Sequence, residues 1–174
     1  MNLPNKLCFV RLFLVLLVLL VLYSKIENSV YIATLFFIIA AFTDILDGYI
    51  ARSRNLITDF GKFFDPLVDK ILVVSILVYL VSIKIVPDWM VIIIIVREFA
   101  VSGFRIIAAS KGIVVAASKL GKFKTQSQVI AVIVALLKIN HDIPYYLWII
   151  FIAVILTVIS GIDYIWKGRD VFKE

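Results

Sequence analysis

Apolar residues run along this chain in long blocks, with the polar and charged residues gathered between them. Blocks near 7–24, 29–51, 65–86, 88–110 and 144–167 each approach the roughly 20 mainly apolar residues that a helix needs to cross a bilayer. A sixth block, 125–140, is weaker, because its apolar core from Val129 to Leu137 is flanked by Lys124 and Lys138. Charge asymmetry decides in its favour. If all six blocks cross, Lys6, Arg11, Arg52, Arg54, Lys62, Arg105, Lys111, Lys119, Lys122, Lys124, Lys167, Arg169 and Lys173 fall on one side, and only Lys25, Lys84 and Lys138 on the other. Lys70 and Arg97 lie within spans. The bias predicts that both termini and the two basic loops face the cytoplasm, and omitting the fifth span would place Lys167, Arg169 and Lys173 outside. The expected fold is therefore all-α and membrane-integral, with six transmembrane helices in a single domain spanning residues 1–174.

Composition agrees. The 174 residues are 63% hydrophobic and 17% charged, with a mean hydropathy of +1.10, whereas soluble domains run at about 45–50% apolar and about 25% charged. That excludes a soluble globular protein, and 7 Gly with 4 Pro exclude a fibrous or low-complexity chain. The net charge of +6 is largely accounted for by topology, so nucleic acid is not an expected partner. A single cysteine, Cys8, allows no internal disulfide and no cysteine-based metal site, which leaves oxygen ligands or His141 for any bound metal. Lys6 and Arg11 before a leucine-rich run resemble a signal peptide, but no A-x-A site follows Tyr23, and the segment is expected to remain as the first span.

Four of the twelve acidic residues, Asp44, Asp47, Asp65 and Asp69, fall at the end of the second span and the start of the third. An ionised aspartate at the centre of a membrane helix costs about 2.5–3.5 kcal/mol, so positive charge must face this group. Asp44, Asp47 and Ala51 share one helical face, with Gly48 beside them and Arg52 one step round. Thr58, Gly61, Asp65 and Asp69 share another if that stretch is helical, although Asp65 before Pro66 also reads as a helix N-cap. Two pairs of carboxylates at one end of the bundle form an all-oxygen cage for hard divalent cations, Mg²⁺ or Mn²⁺. Structural ion pairs with Arg52, Lys62 and Lys70 are the plainer reading, but they do not explain why Gly48, Ala51 and Gly61 leave open space among the acids. A cation transporter is a further class that places acids in a membrane. Against it, the outer halves of the second and third spans carry no partner to complete a path.

Written out, the stretch is D-x2-D-G-x2-A-R-x8-G-x3-D-x3-D, running from Asp44 to Asp69, and it resembles the signature of the CDP-alcohol phosphatidyltransferases at every fixed position. The resemblance implies a transfer of the phosphatidyl group from CDP-diacylglycerol to an alcohol, with release of CMP. It also implies that Asp44, Asp47, Asp65 and Asp69 hold two divalent ions and that Asp69 is the general base. Asn5, Gly48, Ala51, Arg52, Thr58 and Gly61 would then bind CDP-diacylglycerol, the active site would face the cytoplasm, and the protein would be a homodimer.

Three further patterns bear on the acceptor. These are Arg97-Glu98-x3-Ser102-x2-Arg105, Gly121-Lys122-x-Lys124-Thr125 and, near the start, Asn2-x-Pro4-Asn5-x5-Arg11. Arg105, Lys122 and Lys124 carry more positive charge than a neutral alcohol needs and suit an acceptor with its own phosphate. The patterns resemble those of the phosphatidylglycerophosphate synthase branch, which implies glycerol 3-phosphate as acceptor, bound by Arg97, Arg105, Lys122, Lys124 and Thr125. Cys8 departs from that pattern, where threonine is expected. Inositol phosphate, serine and phosphatidylglycerol are the alternative acceptors, and a non-enzymatic assembly subunit is the remaining class. Arg97 and Glu98 also read as a buried pair that fixes helix packing, and the loop lysines as charges drawn to anionic headgroups. Trp89, Tyr145, Tyr146 and Trp148 read as interfacial anchors. A compact six-span chain fits a bacterial cytoplasmic membrane.

Overall fold

The computed structural model describes the backbone of residues 3–24, 26–53, 59–111 and 119–169, and the side chains of these except 3–6, 44–53, 59–63, 65–66 and 119. Among the described residues there are six helices and no strand: α1 (Leu3–Ser24), α2 (Ser29–Ser53), α3 (Asp59–Ser82), α4 (Asp88–Ser110), α5 (Lys119–Leu137) and α6 (Tyr146–Lys167). They run from 19 to 25 residues, which at about 1.5 Å per residue matches the roughly 30 Å hydrocarbon thickness of a bilayer.

The helix boundaries differ from the sequence expectation at two places that matter for the site. Helix α3 starts at Asp59, so Asp65 is not an N-cap and Pro66 lies inside the helix. Gly61, Asp65 and Asp69 therefore do share one helix. Helix α5 starts at Lys119, six residues before the expected span, and puts the Gly121–Thr125 cluster on its first turns. Lys124, whose charge weakens the apolar signal there, is buried and ion-paired with Glu98 of α4, and a neutralised cation no longer opposes burial.

Short turns hold the helices side by side. After α3, the Ile85 N–H donates to the Leu80 carbonyl at 2.9 Å and the Lys84 N–H to the Val81 carbonyl at 2.9 Å. This is a Schellman closure with Lys84 at the left-handed position, φ 60°. Pro87 then leads into α4, where the Asp88 carboxylate accepts the Trp89 N–H at 2.8 Å beside the positive end of the helix. At the same end of the bundle, the Tyr31 hydroxyl of α2 lies 2.8 Å from His141 Nε2 in the α5–α6 turn.

Helix α1 packs chiefly on α2 and also on α3, and α6 packs on α4 and α5. One core runs through all six helices, with Val18, Phe37, Leu80, Ile94, Leu136 and Ile150 among its largest enclosed side chains. The outside is equally apolar: Phe13, Leu20, Leu35, Ile92, Phe99 and Ile162 are exposed, an arrangement that lipid accommodates and water does not. Helices α1 (over Leu7–Ser24), α5 (over Leu120–Leu137) and α6 are long and apolar enough to cross a membrane, and α2 is apolar over Ser29–Thr43. Helices α3 and α4 are interrupted by Asp69 and Lys70 and by Arg97, Glu98 and Arg105. The chain is a multi-pass membrane protein.

Candidate functional site

The charges that interrupt the apolar helices converge at one end of the bundle. There a cavity of about 300 Å³ opens between α3, α4 and α5, with Tyr164 of α6 in its wall. Helix α3 contributes Asp69 and Lys70, α4 contributes Arg97, Glu98, Ser102 and Arg105, and α5 contributes Lys122, Lys124 and Thr125.

Asp69 is one of the ties between α1 and α3. The Arg11 guanidinium, wholly enclosed on α1, donates through Nη1 to Asp69 Oδ1 at 2.6 Å, while Asp69 keeps 37% of its side chain exposed. One carboxylate oxygen is thus held from inside the bundle, and the residue lines the cavity. Lys70, the next residue, donates to the Ser102 hydroxyl, which donates in turn to the Glu98 carbonyl at 2.6 Å.

Glu98 is buried and gathers two cations. Lys124 pairs with its Oε1, and Arg97 Nη1 approaches the same atom at 3.4 Å. Arg97 extends across to α6, donating through Nε to the Thr157 carbonyl at 3.2 Å and through Nη2 to the Ser160 hydroxyl at 2.8 Å. Gly161 permits that path, since a Cβ there would lie 3.0 Å from Arg97 Cγ. Gln128 of α5 donates to the Thr157 hydroxyl at 2.9 Å, completing a polar layer across α4, α5 and α6. Satisfied hydrogen bonds of this kind tie helices together where lipid offers no competing partners. Arg105 and Lys122 stand exposed at the rim, and Thr125 donates to the Gly121 carbonyl at 3.1 Å.

A second cavity, of about 690 Å³, lies between α2, α3 and α5. Its lining is mainly apolar, with Ile38, Phe42, Leu72 and Ile133 among its walls, yet Asp69, Val73, Lys122 and Thr125 line both cavities. Asp69 therefore stands between a charged pocket and an apolar groove.

The backbone sets Asp44, Asp47, Gly48, Ala51 and Arg52 on the last turns of α2 and Gly61 and Asp65 on the first turns of α3, with Asn5 in α1, but their side chains lie outside the described residues. Thr58 lies wholly outside them. Among the described residues no three His, Cys, Asp or Glu side chains gather as a metal cluster, and Asp69 is the one described member of the aspartate quartet. Of the acceptor set, Arg97, Arg105, Lys122, Lys124 and Thr125 do line one cavity. Sequence reasoning did not place Lys70 there, although its position directly after the last aspartate of the motif was a usable signal.

Residues 1–159 match the family model for CDP-alcohol phosphatidyltransferase. This chain belongs to that family. Among curated proteins it is 42% identical to the CDP-diacylglycerol–glycerol-3-phosphate 3-phosphatidyltransferase of Bacillus subtilis, over 99% of this chain and 97% of that protein. It is 37% identical to the protein of the same name from Rickettsia typhi, over 98% and 99% of the two chains. The Haemophilus influenzae protein of that name is 38% identical over 97% and 94%. The family match runs through α1 to α5 and most of α6, so the residues that line the two cavities fall within it except Tyr164.

Proposed function

We propose that this chain transfers the phosphatidyl group of CDP-diacylglycerol to sn-glycerol 3-phosphate, forming phosphatidylglycerophosphate and CMP at the cytoplasmic face of a bacterial membrane that it crosses six times. The observation that carries this reading is the position of Asp69, with a cation-rich pocket suited to a phosphorylated acceptor on one side and an apolar groove on the other. The names of the near full-length relatives support the same donor and acceptor.

Asp44, Asp47, Asp65 and Asp69 offer only carboxylate oxygens, a donor set that suits Mg²⁺ or Mn²⁺. These four residues would hold two such ions, whose charge, when bound, stabilises the attacking and leaving oxygens. Asn5, Gly48, Ala51, Arg52, Thr58 and Gly61 would receive the nucleotide end of the donor, Arg52 pairing with its diphosphate. An acyl chain lies in the groove beside Ile38, Phe42 and Ile133.

The acceptor phosphate is held at the rim by Arg105 and Lys122 and beside Thr125, over the positive floor that Arg97 and Lys124 supply around Glu98. This places the acceptor hydroxyl beside Asp69, whose carboxylate takes its proton. The freed oxygen forms a bond to the phosphorus that bears the diacylglycerol. The bond from that phosphorus to the bridging oxygen breaks, and CMP leaves with the electron pair. Arg11, by holding one carboxylate oxygen of Asp69, fixes the position of the carboxylate at the cavity wall.

The test is CMP release by the purified protein from CDP-diacylglycerol with Mg²⁺ or Mn²⁺, comparing glycerol 3-phosphate with inositol, inositol phosphate, serine and phosphatidylglycerol. Release with glycerol 3-phosphate alone is expected. Release with a different acceptor would overturn the acceptor assignment, and no release with any would overturn the reaction.

A further inference from the structure

Among the described residues five cations line the charged cavity against two carboxylates, and their hydrogen bonds divide them. Lys124 and Arg97 converge on Glu98, and Arg97 spends further donors on Thr157 and Ser160 of α6. Both side chains are largely enclosed. Their charge reaches the pocket, and their described partners lie within the protein.

Lys70 is arranged differently. It is half-buried, and its described hydrogen bond goes to the Ser102 hydroxyl. Ser102 gives its own proton to the Glu98 carbonyl, so its oxygen is left to accept from Lys70. A lysine ammonium has three donors, and this bond fixes the head while using one. Electrostatically Lys70 sits among Glu98 and Asp69, which attract it, and Arg105 and Arg97, which repel it. An anion placed between the Lys70 ammonium and the Arg105 guanidinium converts that repulsion into two charge-assisted contacts. Lys70 is also the residue next to Asp69 on α3, so a ligand it grips is within reach of the groups at the reacting end of the pocket.

We propose that Lys70 binds the phosphorylated acceptor directly, together with Arg105 and Lys122, and that Ser102 positions it, whereas Arg97 and Lys124 act on the pocket through Glu98. The ligand class is a small phosphate monoester, and the inference rests on the functional reading above.

The experiment is steady-state kinetics of the full-length protein with each substrate varied in turn. Lys70→Gln is expected to raise KM for glycerol 3-phosphate about tenfold or more, the loss of a charge-assisted contact, while KM for CDP-diacylglycerol stays within about twofold. Lys70→Arg restores most of the difference, and Ser102→Ala gives a smaller rise in the same KM. An unchanged KM for glycerol 3-phosphate, or an equal rise for both substrates, overturns the proposal. A second measurement uses the wild-type protein and does not depend on a variant folding. Glycerol 3-phosphate is expected to slow acylation of Lys70 by an amine-reactive reagent about tenfold, read by mass spectrometry, with Lys111 and Lys167 unaffected, and equal labelling with and without it contradicts the proposal. Wild-type protein that turns over with glycerol 3-phosphate while these tests fail separates the failure of this inference from that of the functional reading.

Discussion

The enclosed guanidinium of Arg11 on α1 donates to the Asp69 carboxylate on α3 at 2.6 Å, so the residue proposed as general base is also the tie between two helices. Substitutions at Asp69 therefore report on two things at once. Asp69→Asn keeps an oxygen that accepts from Arg11, whereas Asp69→Ala withdraws it from a buried cation, at a cost of about 1–3 kcal/mol. Both variants are expected to lose CMP release, but Asp69→Ala to melt below Asp69→Asn in detergent. Equal melting points would show that the Arg11 contact does not contribute to stability.

Glu98 is the carboxylate that lets Arg97 and Lys124 share one buried site. Glu98→Gln leaves two close cations without it, and breaking a buried charge pair by removing one partner costs about 3–5 kcal/mol. The variant is expected to be strongly destabilised, and addition of Lys124→Met to recover a large part of the loss. Additive effects of the two substitutions would contradict the coupling.

Arg97 reaches α6 across Gly161. An alanine there brings its Cβ to 3.0 Å from Arg97 Cγ, so the arginine must give by a few tenths of an ångström. Leucine at the same place displaces the guanidinium from Ser160 and the Thr157 carbonyl. Gly161→Ala is expected to fold and turn over near the wild-type rate, and Gly161→Leu to lose about 1–3 kcal/mol of stability, read as a lower melting temperature.

The apolar groove between α2, α3 and α5 predicts a dependence on acyl length. Ala41 lines it, so a large side chain there takes up groove volume. Ala41→Phe is expected to raise KM several-fold for a donor with long acyl chains and little for a short-chain analogue, with KM for glycerol 3-phosphate unchanged. A uniform effect on both donors would place the acyl chain elsewhere.

Chelation provides a test of the aspartate quartet. EDTA is expected to abolish CMP release and excess Mg²⁺ or Mn²⁺ to restore it, while Asp44→Asn, Asp47→Asn and Asp65→Asn each require more metal for half-maximal activity. Activity in EDTA equal to that in Mg²⁺ would remove the metal from the account.

The helices are legible in the sequence because apolar blocks of this length have few other uses, and the motif because every fixed position matches the signature it resembles. What remained hidden depended on pairs distant in sequence. Lys119, Lys122 and Lys124 read as a basic loop running into a helix start, yet all three lie in α5, and the partner that permits burial of Lys124 is Glu98, on another helix. Lys70 reads in the sequence as a charge within a span and a candidate ion-pair partner of the aspartates, whereas its described bond goes to Ser102, 32 residues away. Arg11 read as part of the positive-inside bias and as a candidate in the N-terminal pattern, but its contact with Asp69 crosses 58 residues. Composition and spacing report which charges a membrane helix carries. Only the packed bundle reports which of them neutralise each other and which remain directed at the cavity.

The most direct test of the central claim follows radiolabelled glycerol 3-phosphate into lipid, using purified protein, CDP-diacylglycerol micelles and Mg²⁺. The account predicts label in the organic phase as phosphatidylglycerophosphate, one for each CMP released, with none from Asp69→Asn. CMP released without label entering lipid, or undiminished labelling by Asp69→Asn, would contradict it.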